Sequence, residues 1–218
     1  MIATRARWGL LHTTIGWKVL MATSGLVLSG WVLLHMLGNL LVFAGPATMN
    51  GYAAALQGGP LLWLQRAVTL GAAAVHVTGA AVLTRRARRA RSARYRRRLR
   101  PRASTASSRS MRWGGVATGL FVLYHVAHIY GPLHARHVPG DVHHNLVAGL
   151  ADPVVGALYA LAAIVLGLHL HHGTWSLART LGHDGRFEVG VRRLSAGFTA
   201  VVTIGFLAPC VAAMAGWV

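Results

Sequence analysis

Acidic residues are nearly absent from this chain: Asp141, Asp152, Asp184 and Glu188 stand alone against 22 lysines and arginines, for a net charge of +18 over 218 residues. That balance argues against two-carboxylate hydrolysis and against a water-facing surface of mixed sign. Cysteine is as scarce. With Cys210 alone the chain can form no internal disulfide, no four-thiolate iron–sulfur cluster and no C-x-x-C-H attachment of a covalent haem. Charged residues make up 12% of the chain, against roughly 25% in soluble domains, while 54% are hydrophobic. The composition is that of a membrane protein. What the chain has in abundance is histidine, with 13.

A helix needs about 20 apolar residues to cross the roughly 30 Å hydrocarbon core. Five segments meet this: about 19–43, 61–84, 112–131, 153–178 and 195–217. The expected fold is therefore an all-α integral membrane bundle of five transmembrane helices, one domain over 1–218, with the first four helices around the functional centre and the fifth packed outside. Gly45-Pro46, Gly58-Gly59-Pro60, the arginine-rich run 85–112, the histidine-rich segment 132–152 and Gly182 to Arg193 separate the spans as loops.

Positive charge retained beside spans marks the cytoplasmic face. One side carries Arg5, Arg7, Lys18, thirteen arginines from Arg85 to Arg112, then Arg179, Arg186, Arg192 and Arg193; the other has Arg66 and Arg136. This places the N-terminus in the cytoplasm and the C-terminus outside, in a multi-pass protein of the cell inner (cytoplasmic) membrane. Arg5 and Arg7 ahead of an apolar run resemble a secretory signal, but the run is too long for a signal core and reads as a retained first span. In a soluble protein the arginine run would point to nucleic acid. Between two spans it reads instead as a topology signal and a contact for anionic lipids, with docking of an acidic cytoplasmic partner as a second use and no nucleic acid expected.

Ionisable residues within spans are costly and tend to face a bundle interior or a functional path. Histidine occurs in four of the five: His35, His76, His125 with His128, and His169 with His171 and His172. At 1.5 Å rise per residue, His35 and His125 share an outer level, while His76 and His169 share an inner one. Two histidines at one depth on different helices are what bis-imidazole haem ligation requires, and two such levels imply two stacked b haems. His128 neighbours His125, and His171 and His172 crowd His169; depth and flanking pattern favour His125 and His169. Thr69, Ala72, Ala73, His76, Gly79 and Ala80 share a small-residue face that leaves room for a porphyrin, and Gly38 with Asn39 and Gly173 with Ser176 stand in the same relation to His35 and His169. The plainer alternative is that each histidine hydrogen-bonds a neighbouring helix.

The runs Thr13-Thr14-Ile-Gly-Trp-Lys18 to Gly25, His35-Met-Leu-Gly-Asn39, Gly45-Pro46 with Asn50-Gly-Tyr52, Ser110-Met-Arg112-Trp113-Gly114, Tyr124-His125, Asp141-Val-His-His-Asn145 and His169-Leu-His-His-Gly173-Thr-Trp175-Ser176 carry a family resemblance in their order and spacing. The chain resembles the membrane-anchor cytochrome b subunit of succinate dehydrogenases and fumarate reductases, of the single-chain, five-helix, two-haem type. The resemblance implies that His35 and His125 ligate the outer haem iron and His76 and His169 the inner one. It also implies a flavoprotein subunit, an iron–sulfur subunit that exchanges electrons with this anchor, and a membrane quinone, with menaquinone as the expected type. Some two-haem members carry glutamates linked to proton movement, in the first outer loop and two residues before the fourth-helix ligand. This chain has Gly167 there and no acid before Asp141, so no compensating transmembrane proton transfer is expected.

A quinone slot needs a hydrogen-bond donor or proton carrier at its carbonyl ends. Asn39, His128, Tyr130 and Asp141 are the outer candidates, with His134, His137, His143 and His144 as proton carriers or as plain loop residues. Lys18, Ser24 and Arg112 are inner candidates for haem propionates or a quinone. Two other functions remain open: a dihaem cytochrome b of another quinone-linked dehydrogenase or hydrogenase, and a haem-free anchor or transporter. A higher oligomer of the complex is compatible with each.

Overall fold

The computed structural model describes residues 9–90, 106–131, 133–180, 182 and 188–218. Arg5, Arg7, Arg186 and the part of the arginine run from 91 to 105 lie outside the described residues. Seven α-helices follow in order: α1 (Thr14–Leu40), α2 (Pro46–Gln57), α3 (Pro60–Arg89), α4 (Ala106–Ile129), α5 (Val142–Leu150), α6 (Pro153–Thr180) and α7 (Glu188–Met214), with no strand among the described residues. Their starts follow from local chemistry. The Thr13 hydroxyl accepts the Gly16 amide at 2.9 Å at the head of α1, and Asp152 accepts the amides of Val154 and Val155 at the head of α6. At α2 and α3, Pro46 and Pro60 occupy the first turn behind Gly45 and Gly59, whose φ of 86° and 79° suit glycine.

Four helical segments are long and apolar enough to cross a membrane: Thr14–Ala44, Pro60–Arg89, Pro153–Thr180 and Glu188–Met214. The chain is a multi-pass membrane protein by that measure. Its core is thin and its outside greasy: Leu34, Leu70, Leu123, Leu161 and Ile204 all face outward. In water such a surface would be an aggregation patch, whereas lipid tails solvate it without cost. α4, the remaining predicted span, has 24 residues, but Arg112, His125 and His128 dilute its apolar content.

Two expectations of the sequence reading are corrected. The segments taken as loops after Gly45 and within 132–152 contain α2 and α5, which pack on each other. Their apolar stretches, 12 and 9 residues, are too short to span and too lightly patterned to stand out. The fifth long helix is not peripheral: α7 packs along α6 and also against α1 and α5, and its window is the most buried of the four crossing segments. Glycines make this possible. Gly205 of α7 sits directly against Met36 Sδ, and Gly167 of α6 against Thr203 Oγ1 of α7, so a Cβ at either place would collide. Pro209 lacks the N–H that would bond the Gly205 carbonyl one turn back.

Besides α6 with α7, the long helices pack as α1 with α3 and α4 with α6, joined where α1 meets α6. Among the described residues α1 and α4, and likewise α3 and α6, make little or no close contact. The paired histidines lie across those two separations.

Candidate haem centre

His35 and His125 face each other from α1 and α4 with ring centroids 5.8 Å apart and planes at 77°. His76 and His169 do the same from α3 and α6, at 6.2 Å and 72°. Each pair joins helices that do not otherwise pack closely. His76 and His169 lie the same number of residues beyond the prolines that open their helices, Pro60 and Pro153, and His35 and His125 each lie about a turn from the ends of α1 and α4. An iron between two imidazoles, with metal–nitrogen bonds of about 2 Å on each side, separates the ring centres by roughly 6 Å. Both pairs have that spacing.

The surroundings of the rings fit ligation as well. Nδ1 of His76 donates to the Met21 carbonyl at 3.1 Å, which leaves Nε2 as the free lone pair; metal-bound histidines commonly anchor their other nitrogen this way. Nδ1 of His169 is buried and makes no hydrogen bond, although the Met111 backbone lies close enough to act on the ring. A buried polar atom without a partner costs about 1–3 kcal/mol unless something compensates. Gly25 and Gly115 make room for these rings: a Cβ at Gly25 would lie 3.1 Å from His76 Cε1, and one at Gly115 would lie 3.4 Å from His169 Cε1. His35 is held by Trp31, one turn earlier and stacked at 4.8 Å, and by Phe206 of α7 at 6.0 Å. Beside His169, between α4 and α6, opens an apolar cavity of about 230 Å³ bordered by Met111, Trp113, Ala117 and Val165. It is smaller than the roughly 300–1,000 Å³ of ordinary ligand pockets, so it receives at most part of a large cofactor.

Several small residues serve packing where the sequence reading gave them to a porphyrin. Gly79 accepts Met21 of α1, Gly38 lies against the Tyr52 ring, and Gly173 faces Met111. The neighbouring histidines sit differently. Nδ1 of His128 meets the Tyr159 hydroxyl at 2.9 Å, the His172 ring packs edge-on to Trp175 with its Nδ1 buried and, like that of His169, without a hydrogen bond, and the His171 backbone carbonyl accepts from Ser195. Among the described residues no three histidine, cysteine, aspartate or glutamate side chains gather as a metal site; a bis-histidine haem needs two.

Each outer quinone candidate has its own surroundings. Asp141 caps α5 by accepting the His144 amide at 2.9 Å and also accepts Nδ2 of Asn50 at 2.9 Å, tying α5 to α2. Tyr130 is exposed and accepts from Arg66 at 3.2 Å. His128 is buried, and the side chain of Asn39 makes no hydrogen bond among the described residues. On the inner side Lys18 and Arg112 are exposed, while Ser24 is buried and spends its hydroxyl on the Leu20 carbonyl at 2.7 Å.

The outer loop is a hydrogen-bonded module. Asn145 is buried; its amide bonds both backbone groups of Val138, and its carbonyl accepts Nε2–H of His134 at 2.8 Å. The His144 amide and then the Asn50 side chain hold the Asp141 carboxyl below its ordinary value, with burial opposing them and the nearby His144 and His143 adding smaller electrostatic effects in the downward direction. A lowered folded-state pKa means that the carboxylate stabilises the module above the unfolded value near 4, and that this is lost as pH falls through the folded value. We expect the wild-type thermal midpoint to drop more than that of Asp141→Asn between pH 7 and pH 3, since asparagine keeps the cap without titrating. Equal drops in the two proteins would contradict this role.

Sequence reasoning missed Tyr159, Gly115 and Phe206. Tyr159 left a trace, as the one phenol in the apolar run from Pro153 to Leu168, where a buried hydroxyl needs a partner. The others are ordinary apolar residues whose roles depend on a neighbouring helix. In comparisons with family models, with curated proteins and with solved structures, the chain matches none.

Proposed function

We propose that this chain is a dihaem cytochrome b that anchors a succinate:quinone oxidoreductase in the cytoplasmic membrane, with His35 and His125 holding an outer b haem and His76 and His169 an inner one. The observation that carries the reading is the pairing of these four histidines across the two separations where helices do not pack, each at the spacing of bis-imidazole ligation. A bound haem supplies one-electron redox chemistry. The chain's own residues do the rest: Trp31 and Phe206 orient His35, Met21 fixes the tautomer of His76, and the apolar helices keep water away.

Five crossings are part of the same reading. α4 presents Gly115 to the inner histidine His169 and His125 to the outer histidine His35, so it traverses both levels, about 15 Å apart along its axis. Val116, Leu120 and Leu123 on its exterior face lipid. With α1, α3, α6 and α7 this gives an N-terminus in the cytoplasm and a C-terminus outside. Lys18, Arg85, Arg86, Arg88, Arg89, Arg112, Arg179, Arg192 and Arg193 then lie at the inner face, where anionic lipids and an iron–sulfur subunit would meet them. That subunit and its flavoprotein would deliver electrons from succinate, and a membrane quinone, menaquinone by expectation, would accept them.

The test is haem b per polypeptide by pyridine haemochrome absorbance in the purified complex, followed by reduction with succinate in native membranes. Two haems reduced by succinate are expected. Two haems reduced by formate or hydrogen but not by succinate would move the chain to another quinone-linked complex. Absence of haem would leave an anchor or transporter.

A further inference from the structure

Two ring nitrogens from successive turns of α4 converge on one hydroxyl of α6: Nδ1 of His125 lies 3.2 Å from Tyr159 Oη, and Nδ1 of His128 lies 2.9 Å from the same oxygen. A phenol has one hydrogen, so it donates to one ring and accepts from the other. The choice is fixed if His125 gives its Nε2 lone pair to a metal. Its proton then sits on Nδ1 and is donated to Tyr159, which in turn donates to the bare Nδ1 of His128.

His128 is fixed as the end of this chain. Its ring is stacked between Tyr124, at 5.6 Å and 13°, and His134, at 4.7 Å and 15°. His134 is itself locked, donating from Nε2 to the Asn145 carbonyl and accepting the Arg136 amide at Nδ1. Gly149 of α5 admits both rings: a Cβ there would lie 2.7 Å from His128 and 2.9 Å from His134. The short outer helix thus holds an acceptor that faces, through one tyrosine, the outer member of the histidine pairs. The inner pair has no side-chain counterpart, since His76 bonds a backbone carbonyl.

Building on the haem reading, we propose that Tyr159 is a positioning residue for the outer haem: with His128 it orients His125 toward His35 and makes it a more basic ligand. A hydrogen bond accepted from Nδ1–H pushes electron density onto the ligating nitrogen, which favours ferric over ferrous iron and lowers the reduction potential. Because the acceptor is itself a donor to His128, the two hydrogen bonds strengthen one another.

The test uses the full complex with Tyr159→Phe, His128→Phe and the double substitution, reading haem count, the midpoint potential of each haem by its α-band, and the ferric spin-resonance spectrum. Phenylalanine keeps the ring contacts of Tyr159 with Phe121 and Tyr124. The expected result is two haems retained, with the outer potential raised in Tyr159→Phe and the inner unchanged. His128→Phe gives a smaller rise, and the double variant no more than Tyr159→Phe alone, because the chain runs through the hydroxyl. Retention of both haems with an unmoved outer potential overturns the proposal, as do additive shifts, which would mean separate packing effects. If Tyr159→Phe fails to assemble, His128→Phe decides alone: an unmoved outer potential then overturns it. No haem in the wild-type complex removes the haem reading itself, a failure seen before any variant is compared.

Discussion

On the proposed dihaem reading, His76→Ala is expected to lower the haem content of the complex from two per polypeptide to one and to leave the outer haem in place, and His35→Ala to do the reverse. The reason is that each pair is self-contained: His76 meets His169 at 6.2 Å and His35 meets His125 at 5.8 Å. Removing one imidazole of a pair would leave the other without its partner from the facing helix. Loss of an outer-shell partner already costs about 10–100-fold in metal affinity, and loss of the ligand itself costs more. The kinetic consequences differ. On the same reading, succinate should no longer reduce the haem left in His76→Ala but should still reduce the one left in His35→Ala. On that reading His128→Ala and His171→Ala are expected to retain both haems, since the rings that face His35 and His76 are those of His125 and His169. Haem quantitation with difference spectra of the reduced variants reads all four. Full retention in His76→Ala, or loss in His171→Ala, would mean that the ligand sets are wrongly drawn.

Gly205→Val destabilises the bundle at the seam between α1 and α7. A Cβ at Gly205 would run into Met36, which is 1% exposed, and the collision falls on Cγ and Sδ rather than on a free side-chain end. Overpacking of this kind costs about 1–3 kcal/mol, which for a chain of this size corresponds to a thermal midpoint lower by roughly 2–12 °C. Gly197→Val on the same helix has open space at the Cβ and serves as the control, with a midpoint near wild type. Met36→Ala in the Gly205→Val background recovers part of the loss, because the clash and the cavity offset each other. Met36 follows His35 directly, so on the proposed reading Gly205→Val is also expected to weaken haem retention at His35 and His125. Unchanged midpoints in both glycine variants would show that α7 packs on α1 less tightly than these contacts require.

Much of the site is legible in the sequence because the features that announce it are costly ones. Histidine within an apolar run is expensive enough to stand out, and helical rise converts its position into depth, which is how His35 groups with His125 and His76 with His169 before any coordinates are consulted. The preference for His125 over His128 and for His169 over its neighbours rested on the same depth, and these are the rings that face His35 and His76 across the bundle. The long helices were equally open to reading, since about 20 apolar residues between breakers have few other uses.

What the sequence determined by itself is therefore what depends on one segment at a time: the membrane class, the long helices, the one-sided positive charge and the levels of the histidines. Which surfaces meet was decided by tertiary structure. Gly205 and Gly167 carry no mark that distinguishes them from Gly197, yet two of them seat α7 in the bundle and one faces open space. Gly79 could equally have faced a cofactor or a helix, and the close approach of Met21 chose the helix. The first turn of α5 has its amides satisfied by Asp141 and by Asn50 of α2, and the Asn50–Asp141 hydrogen bond joins the two helices. Tyr159 acquired its two histidines by the way α6 lies against α4. Periodicity along one chain fixes depth and face, but the partner of a face is set by three-dimensional packing, where small residues, hydrogen-bond geometry and shape act between segments distant in sequence.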